Sequence, residues 1–266
     1  MESAKASGFR LEKLYLDIID ETGNCFILYR AKLKFLCFKF HYSALIFNDN
    51  LGVTYEGASG KKISDPIVKE ALIYYNSSLN IKGVWKRMAD PLPPLSFIYN
   101  SGSELSWNCH HPKASTEIFY DDTFYKGHGY AETLTITMKP LRIPMDELRW
   151  GRFISDEFTV VWLNWKGNNP LNRIYCNGEE FNDATLNSDK IVFADGRYKL
   201  FFQDISTVRN GKVSDVLSSI PWLKVFFGKR LLNTLEVKYK ARSILFSNSE
   251  IRAKGWSLYE TVLWKK

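Results

Sequence analysis

Hydrophobic and polar residues along this chain alternate over short stretches far more often than they recur at helical spacing. Alternation with period two is the signature of half-buried strands. Residues 14–19 alternate and are closed by Asp20-Glu-Thr-Gly-Asn24, a hairpin-type turn with Gly and Asn where positive φ is cheap. Residues 26–40 form one long β-branched and aromatic run that 41–47 continue. Further strands are expected over 51–55, 81–88, 95–99, 105–110, 115–120, 129–138, 148–154, 158–165, 173–176, 190–193, 198–204, 234–246 and 256–264. Helical spacing is confined to 66–75 and 213–227; in the first, Pro66 suits an opening turn and Asp65 suits its cap.

Some fourteen to sixteen strands with turn signals every 8–12 residues, roughly, predict an all-β protein of the barrel or sandwich kind. Strand does not alternate with helix, so a doubly wound nucleotide-binding sheet is not expected. Gly127-His-Gly129 lies in a strand approach and opens no helix, so it is not a phosphate loop. Two prolines in Lys139-Pro-Leu-Arg-Ile-Pro144 interrupt the strand pattern. They divide the chain into two expected domains, 1–142 and 143–266. The halves carry a faint echo: Tyr130-Ala-Glu-Thr-Leu134 ends the first, and Leu258-Tyr-Glu-Thr-Val262 ends the second. Such an echo at matching positions predicts a duplicated β-barrel.

Composition adds aromatic weight. Phe, Tyr and Trp make up 15% of the 266 residues, enough to line apolar cavities as well as cores. The net charge of +7 would suit an anionic partner. Its Lys and Arg are scattered, however, with clusters no larger than the pairs Lys61-Lys62, Lys229-Arg230 and Lys265-Lys266. Nucleic acid is therefore not expected as a partner. Cys25, Cys37, Cys109 and Cys176 form no C-x-x-C, and the start of the chain shows no apolar leader. No apolar stretch approaches the ~20 residues of a membrane span. These features predict reduced thiols, a cytoplasmic location and no integral membrane contact.

Residues two apart share a face of a strand. From Gly127 onward one face reads Gly127, Gly129, Ala131, Thr133, and the other His128, Tyr130, Glu132, Leu134. If the second face lines a barrel, three proton-handling groups meet there: Glu132 as proton donor or base, with Tyr130 and His128 orienting it. In the last strand Trp256, Leu258, Glu260, Val262 and Trp264 share a face. A carboxylate among such neighbours implies a buried, partnered acid; Arg149 and Arg152 are the expected partners. Cys109, His111 and His128 could be assembled into a metal site, but the spacing is not that of a zinc site, and no metal is expected. Gly178-Glu-Glu180 reads as a solvated turn, and Ser, His and Asp are too scattered to predict a triad.

Gly127-His-Gly-Tyr-Ala-Glu132, preceded by Trp107-Asn-Cys-His-His-Pro-Lys-Ala114, resembles the hydroxyneurosporene synthase (carotenoid 1,2-hydratase)-like, or AttH-like, family. The blocks Leu148-Arg-Trp-Gly-Arg-Phe153, Gly255-Trp-Ser-Leu-Tyr-Glu260 and Asp20-Glu-Thr-Gly-Asn-Cys-Phe-Ile-Leu-Tyr29 are similar to others of that family. The resemblance implies two tandem lipocalin-like (calycin) barrels and a hydratase, cyclase or isomerase needing no cofactor. It further implies a terpenoid or polyketide-like hydrophobic substrate. Tyr130 and Glu132 fall at the motif's tyrosine and acidic positions, although Glu stands where the hydratases carry an Asp-containing stretch. Trp107, Trp150 and Trp162 are the expected pocket walls, with His111, Arg152 and Glu260 as further substrate-binding residues. The alternative is a non-catalytic carrier of a hydrophobic ligand. The oligomeric state is left open.

Overall fold

A computed structural model describes residues 8–99, 103–137, 145–216 and 229–264. Contacts divide the chain into two compact units, Met1–Ile143 and Pro144–Lys266. The expected proline-rich seam lies outside the described residues.

The first unit contains β1 (Phe9–Asp20), β2 (Cys25–Phe35), β3 (Phe38–Asn48), β4 (Thr54–Ser59), β5 (Ala71–Asn76), β6 (Ile81–Arg87), β7 (Leu95–Tyr99), β8 (Ser103–Tyr120) and β9 (Thr123–Ile136). They form one antiparallel sheet in the order β4-β3-β2-β1-β9-β8-β6-β5, with β7 also on β8. The β1–β2 turn is built as its residues predict. One Asp20 carboxylate oxygen accepts the backbone N–H groups of Thr22, Gly23 and Asn24, and Gly23 takes φ 97°.

Three expectations need correction. The run over 26–40 is two strands, because the chain reverses at Leu36-Cys37 with Leu36 at φ 53°. No Gly, Asn or Asp marks that turn, so its residue types concealed it. The helix expected over 66–75 is absent: Leu72, Tyr74 and Asn76 are buried while Ala71, Ile73 and Tyr75 are exposed, the period of a strand. Asp65, expected to cap that helix, spends its carboxylate on Arg30 and Lys32. The strands expected at 105–110 and 115–120 are one strand, β8. Its register against β9 slips between Cys109 and His111 and again before Ala114. Pro112, which has no N–H for a ladder, sits in that bulged stretch.

The core settles which face of this sheet is inside. Leu45 of β3 and Leu72 of β5 lie near opposite ends of the strand order, yet both belong to one buried cluster with Leu14, Leu16, Ile18, Leu28, Trp85 and Ala131. The sheet is therefore curled around that cluster as a half-barrel. In β9 the small face points inward. A Cβ on Gly129 would lie 2.8 Å from the Trp85 ring, so the indole can pack there only against a glycine.

The second unit repeats the plan with β10 (Met145–Ile154), β11 (Thr159–Gly167), β12 (Leu171–Cys176), β13 (Glu179–Phe181), β14 (Thr185–Leu186), β15 (Lys190–Phe193), β16 (Tyr198–Lys212), β17 (Leu235–Ser247) and β18 (Glu250–Leu263). The order is β13-β12-β11-β10-β18-β17-β16-β15-β14, again with first strand beside last. Its inner cluster joins Phe153, Val160, Trp162, Ile174, Phe193, Leu200 and Ala241. Among the described residues helix is almost absent: α1 (Val213–Val216) and α2 (Lys229–Leu232) are single turns. The first falls within the segment 213–227 where a helix is expected, and the rest of that segment lies outside the described residues. The fold is thus all-β, two lipocalin-like half-barrels in tandem. No helix among the described residues is long and apolar enough to cross a membrane.

Candidate functional site

The curl of the first sheet assigns the His128-Tyr130-Glu132 row to the face opposite the inner cluster. That is a correction to the conditional expectation of an inward-facing row, and its cause is the glycine-and-alanine face needed beneath Trp85. The outward row is partly shielded from water, with His128 and Glu132 half-buried. Tyr130 is fully buried, as are Asp17 of β1 and Cys109 of β8.

Three strands place the polar groups. Glu132 stands opposite Tyr15 on one side and Cys109 on the other. One oxygen of its carboxylate, Oε2, accepts two hydrogen bonds. The Tyr130 hydroxyl donates at 2.6 Å, and the Trp107 indole N–H donates to the same atom. Tyr130 meets Tyr15 edge to face at 6.1 Å between centroids, and Tyr15 meets Tyr29 in the same way at 5.5 Å. Lys13 Nζ lies 4.5 Å from the centroid of Tyr29, closing this row of rings with a cation.

Burial governs the titrating neighbours. It pushes the Tyr130 phenol well up, with Cys109 and Glu132 beside it adding to the rise, so Tyr130 holds its proton at neutral pH. The Cys109 thiol is also pushed well up, first by burial, with partial relief from its hydrogen bond to Tyr130. His110 and His111 are both pulled below the ordinary histidine range by burial. His110 turns to the inner side, where its Nε2 lies 2.9 Å from Thr133 Oγ1, while His111 is fully buried.

The structure therefore brings together Tyr130, Glu132 and Trp107 of the expected residues. His128 shares their face but stands four residues from Glu132, about 13 Å along the strand. Trp162 packs in the core of the second unit, 5.9 Å from Phe202 and 6.2 Å from Tyr259 between ring centroids. Trp150 and Glu260 are paired across β10 and β18 on the other face of that sheet. Glu260 has a cationic partner, but the structure assigns it to Lys238, which also pairs with Glu236. Arg149 instead bonds Glu147, and Arg152 donates to the Trp256 carbonyl at 3.2 Å. Lys238 was missed because it lies on the neighbouring strand, 22 residues from Glu260 in sequence. Tyr15, Asp17 and Cys109 were missed as members of the first site. Alternation in β1 sets Tyr15 and Asp17 apart from Leu14, Leu16 and Ile18, a signal legible only once the inner face is known. Among the described residues, no three His, Cys, Asp or Glu side chains cluster so as to hold a metal ion.

Fold and site together define a tandem lipocalin-like protein whose first sheet carries a half-buried Glu132 held by buried Tyr130 and Trp107. Comparison by sequence finds no matching family and no matching curated protein. Comparison of structures finds the same fold in kievitone hydratase from Nectria haematococca, with TM-score 0.60, 9% identity and coverage of 98% of this chain and 90% of that one. CghA, solved with Sch210972, gives TM-score 0.57, 10% identity and coverage of 97% and 89%. A putative AttH from Nitrosomonas europaea gives 0.54, 9%, 94% and 92%. The fold is that of the AttH-like proteins over nearly the whole chain.

Proposed function

We propose that the protein is a hydratase-, cyclase- or isomerase-type enzyme acting on a hydrophobic small molecule, terpenoid or polyketide-like, by acid–base chemistry without a cofactor. The observation that carries this reading is the convergence of the Tyr130 and Trp107 donors on one oxygen of Glu132. Hydrogen bonds donated to a carboxylate favour its charged form. Glu132 is thereby held ready to accept a proton, and Tyr130, kept protonated by burial, supplies the O–H through which a proton returns. Adding water across an alkene, or closing a ring, develops positive charge on carbon; the faces of Tyr15, Tyr130 and Trp107 would stabilise it. Likeness of fold to a kievitone hydratase supports the reaction class.

The test begins with native mass spectrometry of freshly purified protein and organic extraction of whatever it carries. The extracted compound is then incubated with fresh protein and with Glu132→Gln. Conversion by the native chain and its loss in the variant are expected. A compound returned unchanged by both would replace the enzyme with a carrier.

A further inference from the structure

A second site lies on the inner face of the first sheet, away from Glu132. A groove of about 620 Å³ opens where β1 begins, β2 ends and β3 begins, with residues 62–65 along its side. That volume is in the range of small-molecule sites. The register shows how the groove is made. Arg10, Lys34 and Lys39 stand directly opposite one another on three adjacent strands, and Glu12, Lys32 and His41 form the next row. These rows continue inward on the same face to Leu14, Leu28 and Leu45 of the core. Ile63 supplies apolar wall and also packs on that core, whereas Leu33 and Phe40 border the groove through their backbone, since alternation turns their side chains to the other face.

The charges do not balance. Five cationic side chains line the groove against two carboxylates, Glu12 and Asp65. Glu12 lies 3.7 Å from Arg10, and Asp65 takes both Arg30 and Lys32. Lys34, Lys39 and Lys62 have no acidic partner among the described residues. Like charges placed opposite one another across strands destabilise a sheet, so this arrangement works against the fold unless an anion fills it. His41 senses the field. Burial first, then Arg30, Lys62, Lys32 and Lys39, hold its imidazolium below the ordinary range.

We propose that this groove binds an amphipathic organic anion, its carboxylate or phosphate held by Lys34, Lys39 and Lys62 and its apolar body laid against Ile63. The site is independent of the reaction assigned to Glu132. Calorimetric titration of the full chain with octyl phosphate, octanoate, octanol and inorganic phosphate tests it. Native protein should bind octyl phosphate or octanoate about tenfold or more tighter than octanol or inorganic phosphate. A preference between the two alkyl anions would name the headgroup. Combined Lys34→Gln, Lys39→Gln and Lys62→Gln, all exposed positions, should remove that advantage and leave octanol binding unchanged. Added salt should weaken the anions alone. The His41 ring resonances should titrate at higher pH once the anion is bound. Glu132→Gln should bind as the native chain does, which separates failure here from failure of the proposed reaction. Equal affinity for octanol and the alkyl anions, or unaltered anion binding by the triple variant, would overturn the charge reading. Inorganic phosphate binding as tightly as octyl phosphate would overturn the apolar contact.

Discussion

Glu132 and Glu260 occupy the same slot in two sheets of the same order, yet their surroundings differ in kind. Five residues before each lies a glycine, Gly127 or Gly255, pressed against the first strand of its unit. A Cβ there would sit 2.2 Å from the carbonyl oxygen of Ile19 or Ile154. Matching the two registers makes Tyr15 equivalent to Trp150, Cys109 to Lys238 and Tyr130 to Leu258. In the first sheet the carboxylate meets neutral donors, a phenol and an indole. In the second it meets Lys238, 2% exposed, which Glu236 shares. A carboxylate neutralised by a buried ammonium is committed to the fold, since removing Lys238 takes the counter-charge from Glu260. The hydrogen bonds from Tyr130 and Trp107 instead favour the charged form of Glu132, the form that can accept a proton. Under the proposed function, one backbone slot would serve structure in one unit and chemistry in the other.

The sharpest way to break this comparison is to neutralise each acid in turn. Glu132→Gln should lower conversion of the extracted compound by roughly 10²–10⁴-fold, the usual worth of a positioned acid or base. Glu260→Gln should leave conversion by the folded protein unchanged. Equal losses, measured as initial rates, would erase the distinction. Next in size is the cation. Lys238→Met should destabilise by about 3–5 kcal/mol in urea unfolding, because Glu260 loses its cation while Glu236 keeps Arg209. Trp107→Phe, which removes only a neutral donor, should cost about 1–3 kcal/mol. The reverse ranking would mean that Glu132 is the structural acid.

The glycines sharpen what the two slots share. Gly127→Ala and Gly255→Ala each force a methyl group against a backbone carbonyl and should each cost roughly 1–3 kcal/mol. Similar losses in the two variants are expected from the matching 2.2 Å approaches; a loss confined to one would mean that the slots are not equivalent. The smallest effect is kinetic. Cys37 is exposed, whereas Cys109, opposite Glu132, is buried with its thiol pushed well up. A disulfide reagent at neutral pH should therefore modify Cys37 at once and Cys109 only on unfolding. Rapid labelling of Cys109 in the folded chain would show that its thiol is reached from solvent.

Much of this was legible along the chain because strand formation and hairpin chemistry are local. Alternation placed β1, β6, β11, β15, β17 and β18 within a few residues, and Asp20, Gly23 and Asn24 announced their turn. The pairing of Tyr130 with Glu132 was equally local, since residues two apart share a face wherever a strand forms. The misses have a common origin. Leu36 turns without a turn residue, Asp65 is drawn to Arg30 and Lys32 instead of capping a helix, and Pro112 is absorbed by a bulge inside one long strand. In each case a partner distant in sequence outweighs a local preference.

The sequence by itself determined an all-β chain, the echoed Glu-Thr pairs and the faces on which each candidate side chain lies. Only the tertiary structure decided which face is inside, because that depends on Leu45 and Leu72 meeting across a curled sheet. Tertiary structure likewise brought Trp107 to Glu132, Lys238 to Glu260 and three lysines to one groove. Contacts between strands are set by register, and register follows from the whole sheet closing on its core.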